Sequence, residues 1–184
     1  MRVISGTKKG LHLKAVPGQS TRPTTDKVKE SIFNMIGPYF EGGSMLDLYG
    51  GSGSIAIESL SRGMDHAVIV DRDKKAIETI YSNLKLCKLE DQAEVFRNES
   101  ARAIKAIVKK GLTFHLIFLD PPYKKQRLSE ELSFIAEKNL LAPNGVIVVE
   151  HSIDVELDNT YVKLEKVKSE RYGDTEISIY EYGK

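Results

Sequence analysis

The segment that decides the fold reads Asp47-Leu48-Tyr49-Gly50-Gly51-Ser52-Gly53-Ser54-Ile55-Ala56. It joins a predicted strand, Met45–Leu48, to a predicted helix, Ser54–Arg62. Glycines directly after a strand let the backbone turn tightly and approach a ligand, because no Cβ stands in the way. The helix that follows directs its free N–H groups and the positive end of its dipole at that ligand. The segment therefore predicts a loop, in an α/β fold, that binds an anionic group.

Strands and helices alternate around this segment. A helix with Val28 and Ile32 on one face precedes it and ends at Gly37-Pro38, as expected of a glycine stop followed by proline. The later predicted elements are, in chain order, Ala67–Val70, Asp73–Leu86, Ala93–Arg97, a helix through Ile104 and Ile107, a strand ending at Leu119, a helix through Leu132 and Ile135, and Val146–Val149. This alternation predicts a parallel, doubly wound sheet with helices on both faces.

The two ends of the chain differ from this pattern. Arg2–Ser5 and Leu11–Ala15 flank a glycine-bounded basic turn, which predicts an N-terminal β-hairpin. Tyr161–Val167 and Thr175–Tyr182 are not separated by a helix, which predicts a C-terminal antiparallel hairpin. Parallel βα units closed by an antiparallel pair are typical of methyltransferases that use S-adenosylmethionine. We therefore predict a Rossmann-like fold of this class with a mostly parallel, seven-stranded sheet.

A second binding segment follows four apolar residues. Leu116-Ile117-Phe118-Leu119 predicts a buried strand, and Asp120-Pro121-Pro122-Tyr123 comes directly after it. Proline cannot donate to a sheet ladder and bars the preceding residue from helical conformation, so the loop is stiff. It lies at the carboxyl end of a strand, where ligands bind in open α/β sheets. A carboxylate, prolyl carbonyls and an aromatic ring suit the holding of a flat base by its exocyclic amine. We predict that the catalytic residues are Asp120, Pro121, Pro122 and Tyr123.

The glycine loop alone leaves two cofactors open. Gly51-x-Gly53-x-x-Ala56 also satisfies the dinucleotide pattern, with Asp71 where a ribose hydroxyl would bind. However, Asp47 would oppose a pyrophosphate, whereas it can hold the ammonium of a methionine group. The chain also has no room for the substrate domain that a dehydrogenase needs. These points favour S-adenosylmethionine, and a dinucleotide oxidoreductase is the alternative enzyme class.

Charge is distributed unevenly along the 184 residues, whose net charge is +1. Residues 1–40 carry seven Lys or Arg against two acidic residues, while the remainder is mildly acidic. A basic arm indicates a polyanionic partner met by one end of the molecule. The RNA-binding residues that we predict are Arg2, Lys8, Lys9, Lys14, Arg22, Thr24 and Lys27. We expect residues 1–40 to form an RNA-contacting extension and residues 41–184 a single catalytic domain.

The compartment and assembly follow from what the sequence lacks. Its longest apolar runs are four or five residues, and its start carries no apolar secretory segment. Cys87 is the single cysteine, so no disulfide framework can form within the chain. None of the four histidines lies in a convincing catalytic setting. We expect a cytoplasmic monomer without a membrane segment or a metal site.

Taken together, these motifs resemble the RsmD family of 16S ribosomal RNA guanine-N2 methyltransferases, closely its Gram-positive members, over nearly the whole chain. The motifs that carry the resemblance are Arg2-Val3-Ile4-Ser5-Gly6, Arg22-Pro23-Thr24-Thr25-Asp26-Lys27-Val28-Lys29-Glu30-Ser31-Ile32-Phe33, the glycine loop, Leu60-Ser61-Arg62-Gly63, Asp120-Pro121-Pro122-Tyr123 and Arg171-Tyr172-Gly173-Asp174-Thr175. The resemblance implies 16S ribosomal RNA or the assembling small subunit as partner, and the guanine usually numbered 966 as target.

The resemblance also implies a set of cofactor contacts. It assigns the methionine end of the cofactor to Asp47 and the glycine loop, the ribose to Asp71, and the adenine to the region of Glu99. The whole predicted cofactor set is Asp47, Gly50, Gly51, Gly53, Asp71, Arg72, Asn98, Glu99 and Ser100. Two positions depart from the family pattern, since relatives usually have alanine at position 50 and aspartate at position 99.

The expected reaction follows from the electronics of the amine. The lone pair of an exocyclic guanine nitrogen is delocalised into the ring, so the nitrogen is a poor nucleophile. We expect Asp120 to accept one N–H and the Pro121 carbonyl the other, while Tyr123 stacks on the base and methyl transfer proceeds by in-line displacement. An N6-adenine methyltransferase acting on DNA or RNA would use the same loop, and an RNA-binding module is the non-enzyme alternative.

Overall fold

The computed structural model describes residues 1–18, 24–122 and 126–184, so the predictions for Arg22 and Tyr123 lie outside the described residues. The helices are α1 (Asp26–Ile36), α2 (Ser54–Ser61), α3 (Lys74–Leu86), α4 (Ser100–Lys109) and α5 (Leu128–Glu137), with a short 3-10 helix at Glu90–Gln92. The strands are β1 (Ser44–Asp47), β2 (His66–Asp71), β3 (Ala93–Arg97), β4 (Phe114–Leu119), β5 (Leu141–Ser152), β6 (Thr160–Tyr161), β7 (Leu164–Tyr172) and β8 (Thr175–Tyr182). Within the described ranges, no helix is long and apolar enough to cross a membrane.

The eight strands of the described residues form one sheet in the order β3-β2-β1-β4-β5-β8-β7-β6. The first five are parallel, whereas β8 pairs antiparallel with β5, and β7 pairs antiparallel with β8. From β1 the chain adds β2 and β3 on one side, and then returns to add β4 and β5 on the other side of β1. This reversal opens a crevice at the carboxyl ends of β1 and β4, where ligands bind in such sheets.

The predicted parallel sheet and the C-terminal hairpin are confirmed, with two differences. The two-residue strand β6 adds an eighth, outermost strand, and a segment this short carries no readable alternation. Strand β5 also extends beyond the predicted Val146–Val149 on both sides. Its last residues, Glu150 to Ser152, pair with the hairpin strand β8, and the sequence pattern of β5 alone does not reveal this pairing.

Two apolar clusters cover the two faces of the sheet. Side chains alternate across a strand, so Leu46 faces the cluster under α4 and α5, while Met45 faces the cluster under α2 and α3. Val3 and Leu13 from the N-terminal segment and Phe33 from α1 belong to the second cluster. The N-terminal extension therefore shares a core with one face of the sheet.

A buried ionic network attaches the extension to this face. The predicted N-terminal hairpin is present as a bridge between Arg2 and His12. The Glu58 carboxylate on α2 accepts hydrogen bonds from the backbone N–H groups of Ile4 (2.9 Å) and Ser5 (3.1 Å). The same carboxylate pairs with two buried cations, so one acid holds the hairpin against α2.

The two cations of this network come from different elements. Lys29 Nζ on α1 lies 3.3 Å from Glu58 Oε1, and Arg62 Nε lies 2.7 Å from Glu58 Oε2. All three side chains are at most 2% exposed. Lys29 also donates to the Arg2 carbonyl (2.6 Å) and to Ser54 Oγ (2.9 Å). Lys29 is one of the seven basic residues in residues 1–40. Because its ammonium group is buried in this network, it stabilises the fold and is not available to bind a polyanion.

Candidate active site

The glycine loop forms a tight turn at the carboxyl end of β1. Gly50 N–H donates to the Val70 carbonyl at 2.7 Å, and Gly53 N–H donates to the Gly50 carbonyl at 2.9 Å. Gly51 has φ +57°, and the space that a Cβ would occupy there is open. At Gly50 a Cβ would lie 2.4 Å from Ile69 Cγ2, so the packing of this chain explains why glycine stands there. The loop is therefore fixed on its inner side and open on its outer side.

Asp71, at the end of β2, ties this loop to the start of α3. Its Oδ2 accepts the Gly51 N–H at 2.9 Å, and its Oδ1 accepts the Asp73 N–H at 2.9 Å. Burial raises the pKa of Asp71, while these backbone donors act in the opposite direction. Both carboxylate oxygens keep further acceptor capacity, so Asp71 can hold a ribose hydroxyl at the crevice.

Asp47 is a buried acid for which the described residues supply no salt bridge. It is 1% exposed, and its Oδ1 accepts the Tyr49 N–H at 3.0 Å. Burial raises its pKa to about 7, and the nearby charges of Asp71 and Glu150 act in the same direction. In the described part of the chain, no Lys or Arg forms a salt bridge with it. A positively charged ligand group would relieve this unfavourable burial, so Asp47 fits the ammonium of a methionine group.

Asp120 faces a second carboxyl group that the sequence analysis did not predict. The register pairs Leu119 of β4 with Val149 of β5, so Asp120 and Glu150 follow at adjacent strand positions. Their carboxyl groups are hydrogen-bonded to each other. Thr24 Oγ1 donates to Glu150 Oε2 at 2.7 Å. Burial, followed by the Glu150 charge, raises the pKa of Asp120 well above its usual range.

A charged residue at the end of the apolar run Val146–Val149 is the sequence signal that could have revealed Glu150. It is only 8% exposed, and burial raises the pKa of its carboxyl group as well. Thr24 was predicted to contact RNA, and the structure shows that its hydroxyl is hydrogen-bonded inside the site. Pro121 is buried beside this pair and lines one small cleft with Glu150, whereas Pro122 is exposed.

A second unpredicted pair lies between the glycine loop and the helices of the opposite layer. Tyr49 O–H donates to Glu131 Oε1 on α5 at 2.6 Å and lies 3.0 Å from Ser100 Oγ on α4. Burial raises the pKa of Glu131 to about 7 and raises that of the Tyr49 hydroxyl. Among the described residues, Glu131 Oε2 is the buried side-chain oxygen without a hydrogen-bond partner. The predicted cofactor residue Ser100 thus belongs to a buried polar cluster at this crevice.

The other predicted cofactor residues lie around the ends of β2 and β3. Asn98 N–H donates to the Asp71 carbonyl at 3.0 Å, and Asn98 Oδ1 accepts the Glu99 N–H at 2.9 Å. Glu99 is exposed at the start of α4, and its side chain makes no capping bond. Arg72 is exposed next to Asp71. Asn98 and Glu99 therefore lie next to the end of β2, just after the neighbouring strand β3.

The predicted RNA-binding residues are spread along the N-terminal extension. Arg2 is engaged with Asp26, through its backbone N–H at 3.3 Å and its Nε at 3.8 Å. Lys9 is exposed in the turn of the hairpin, next to half-buried Lys8, while Lys14 lies on the returning segment and Lys27 is exposed on α1. These residues lie on the α2 and α3 side of the sheet, because the extension packs into that apolar cluster.

Two further findings concern the histidine, cysteine and acidic side chains. Over the described ranges, no group of three or more His, Cys, Asp or Glu side chains could hold a metal ion. Cys87 is 1% exposed, and burial raises the pKa of its thiol.

Comparisons with known proteins identify related sequences and structures. The family model described as "Conserved hypothetical protein 95" matches residues 1–181. The chain is 57% identical over 180 residues to "Putative rRNA methyltransferase YlbH" of Bacillus subtilis, covering 98% of each chain. It is 34% identical over 155 residues to "Ribosomal RNA small subunit methyltransferase D" of Haemophilus influenzae, covering 84% of this chain and 80% of that protein. A solved Streptococcus pyogenes structure, named a conserved hypothetical protein, superposes with a TM-score of 0.79 at 40% identity, covering 83% of this chain and 94% of the other.

Proposed function

The chain belongs to the RsmD family of ribosomal RNA methyltransferases, and we propose that it transfers a methyl group from S-adenosylmethionine to the exocyclic N2 of a guanine in 16S ribosomal RNA. By family resemblance the target is the guanine usually numbered 966. The observation that carries the proposal is the pairing of two loops at the ends of the neighbouring strands β1 and β4. One loop has an open glycine face beside Asp47, which forms no salt bridge with the residues that the structure describes, and the other presents Asp120 and two prolines.

The first loop fits the donor. Asp47 would hold its ammonium, the open face beside Gly51 its methionine end, and Asp71 its ribose. Asn98, Glu99 and the polar cluster at Ser100 would meet the adenine. When bound, S-adenosylmethionine supplies a methyl group on a positively charged sulfur, which is the electrophile of the reaction.

The second loop fits the acceptor. Asp120 and the Pro121 carbonyl would accept the two N–H groups of the amine, which orients the nitrogen lone pair toward the crevice of the first loop. Pro121 has no backbone N–H, so its backbone offers the amine only a carbonyl acceptor. Holding the two reactants at near-attack distance can lower the barrier by several kcal/mol. The target base must first leave its stack in the RNA, which costs a few kcal/mol. Stacking on Tyr123 would then fix the plane of the base.

The N-terminal extension would hold the RNA backbone. A surface depression of about 290 Å³ lies between the hairpin and α3, and its lining includes Lys14 and Lys75. Positive side chains of this kind bind phosphates without reading sequence, and such binding weakens steeply with salt. The residues that we propose for this role are Arg2, Lys8, Lys9, Lys14, Arg22 and Lys27. Thr24 is left out, because its hydroxyl donates to the Glu150 carboxylate.

The proposal is tested by labelled methyl transfer to small-subunit particles from a strain that lacks this protein, followed by mapping of the modified base. We expect one labelled guanine carrying the methyl group on N2. Label on the N6 of an adenine, or on DNA, would replace the proposal with the adenine alternative. Calorimetry separates the cofactors, because S-adenosylmethionine should bind and NAD should not.

A further inference from the structure

We propose that Glu150 is a positioning residue for methyl transfer: it shares a proton with Asp120 and thereby decides when the Asp120 carboxyl group can accept an N–H of the substrate amine. This inference rests on the proposed function, since it concerns the same amine. In this proposal Glu150 does not contact the substrate and affects the reaction only through Asp120.

The geometry that carries the inference is a chain of three side chains. Thr24 Oγ1 donates to Glu150 Oε2 at 2.7 Å, which leaves the rest of the Glu150 carboxylate to face Asp120. Neighbouring parallel strands hold the two acids side by side, because Leu119 is in register with Val149. Thr24 lies just before α1 and Asp120 just after β4, so Glu150 links the N-terminal extension to the catalytic loop.

Two carboxyl groups in hydrogen-bond contact hold one proton between them, since two adjacent negative charges in a buried site repel each other. Asp120 is the group that keeps the proton, because Glu150 already accepts a hydrogen bond from Thr24. In this state Asp120 donates its O–H to Glu150 and is a poor acceptor for the amine. Asp120 must lose the proton before it becomes a strong acceptor for an N–H and before it can take up the proton that the reaction releases.

The surrounding charges act in the same direction. Asp47 on β1 is the further acid whose charge raises the pKa of Asp120. His151 follows Glu150 on β5, but its ring lies on the other side of the strand, with Nε2 at 2.8 Å from Ser178 Oγ and 3.6 Å from Glu176. In the described part of the chain, no salt bridge places a cation on Asp120 or Glu150.

The proton balance of the reaction fits this arrangement. The nitrogen lone pair forms the new N–C bond while the electron pair of the C–S bond returns to sulfur, which becomes a neutral thioether. The methylated amine is then positively charged, and its N–H bonding pair returns to nitrogen as the proton passes to the Asp120 carboxylate. Asp120 again shares this proton with Glu150, and loss of the proton to solvent prepares the next turnover.

The test compares pH profiles of kcat/KM for the wild type, Glu150→Gln and Glu176→Gln, with small-subunit particles as substrate. Glutamine keeps the shape of Glu150 and an oxygen for Thr24, but removes the charge and offers Asp120 an N–H donor. We therefore expect the acid limb of the profile to move to lower pH by about one unit or more in Glu150→Gln. Glu176→Gln removes a charge beside the same strand and should leave the limb unchanged.

A second measurement needs neither cofactor nor substrate. The carboxyl carbon of Asp120 is followed by nuclear magnetic resonance during a pH titration of the free protein. Its midpoint should be high in the wild type and lower by about one unit or more in Glu150→Gln. Thr24→Val, which removes the hydroxyl donor, should instead change how the proton is divided between the two acids and shift the midpoint measurably.

An unshifted acid limb together with an unshifted Asp120 midpoint in Glu150→Gln would overturn the inference, as would an equal loss of rate at every pH. If Glu150→Gln does not fold, Thr24→Val decides by the same titration, and an unchanged midpoint there overturns the inference. A wild-type enzyme that methylates no guanine would refute the proposed function instead, while the titration would still report whether Glu150 controls Asp120.

Discussion

Two groups of carboxylates in the interior of this molecule differ in the neighbours that compensate their negative charge. Glu58 accepts two backbone N–H groups and lies within 3.3 Å of the Lys29 and Arg62 cations. Asp120 and Glu150 face each other instead, with the Thr24 hydroxyl as their described donor. One arrangement compensates its charge and the other does not.

The difference separates structural stability from chemistry. A compensated buried acid resists change, because removing any partner leaves an unpaired charge in the interior. An uncompensated pair has strongly raised pKa values, and such groups cluster at functional sites. Asp47 belongs with the second group, because burial raises its pKa and no described cation compensates its negative charge.

Replacing Asp120 with Ala should reduce methyl transfer by roughly 10³-fold or more, because the amine loses its acceptor and its proton acceptor together. Binding of S-adenosylmethionine should stay within about twofold, since Asp120 lies on the loop that meets the base. Single-turnover transfer and calorimetry measure the two effects. Transfer at wild-type rate would remove Asp120 from the catalytic role.

Replacing Glu58 with Ala should lower the free energy of unfolding by about 3–5 kcal/mol, because the buried Lys29 and Arg62 cations would lose their counter-charge. Urea denaturation measures the change. Glu94→Ala is the matched control: Glu94 pairs with His66 at the surface, and its loss should cost less than about 1 kcal/mol. Equal effects of the two substitutions would mean that the Glu58 network is not what holds the hairpin in place.

The stability of the cofactor-free protein should fall as the pH rises from about 4 to above 7. Asp47 has a pKa of about 7 in the folded protein against 3.8 ordinarily, so its contribution is present below pH 4 and is lost as the folded group ionises. The expected loss is a few kcal/mol. Asp47→Asn should make the slope shallower, leaving the parts contributed by the other acids whose pKa values burial raises, which are Asp71, Asp120, Glu131 and Glu150. Chemical denaturation across this pH range gives the comparison, and an unchanged slope in Asp47→Asn would contradict it.

Affinity for S-adenosylmethionine should rise about tenfold between pH 6 and 7.5, because the ionised form of Asp47 is the one that attracts an ammonium. Above pH 8 the affinity should fall again, since a free α-amino group loses its proton there. Calorimetry at several pH values measures both limbs. In Asp47→Asn the lower limb should disappear, and if it persists, another group is responsible for it.

The smallest expected effect concerns the hairpin that Glu58 supports. Replacing Lys8 and Lys9 with Ala should leave stability unchanged but weaken RNA binding several-fold at low salt, and should reduce the slope of log affinity against log salt by about one to two. The same double change at Lys105 and Lys109, exposed on α4, is the control. A normal salt slope in the Lys8 and Lys9 variant would exclude the hairpin turn from phosphate binding.

Much of the fold was readable from the sequence because its signals are local. Apolar runs ending in glycine or Asp-Pro mark the ends of β1 and β4, and their order predicts the crevice between them. Asp47, the glycine loop, Asp71 and Asp120 were each recognisable from neighbours within a few residues. The C-terminal hairpin was also predicted, whereas the two-residue strand β6 was too short to carry a pattern.

The sequence by itself determined where the strands end and which acids stand there, since chain stiffness and side-chain alternation act over a few residues. Only the tertiary structure decided which of those acids are compensated. Glu58 meets Lys29 from another helix, and Thr24 meets Glu150 across 126 positions of sequence. Hydrogen bonds and charge act over a few ångströms, and the folded chain brings distant residues within that range, so the state of each buried carboxylate is a property of the packed molecule.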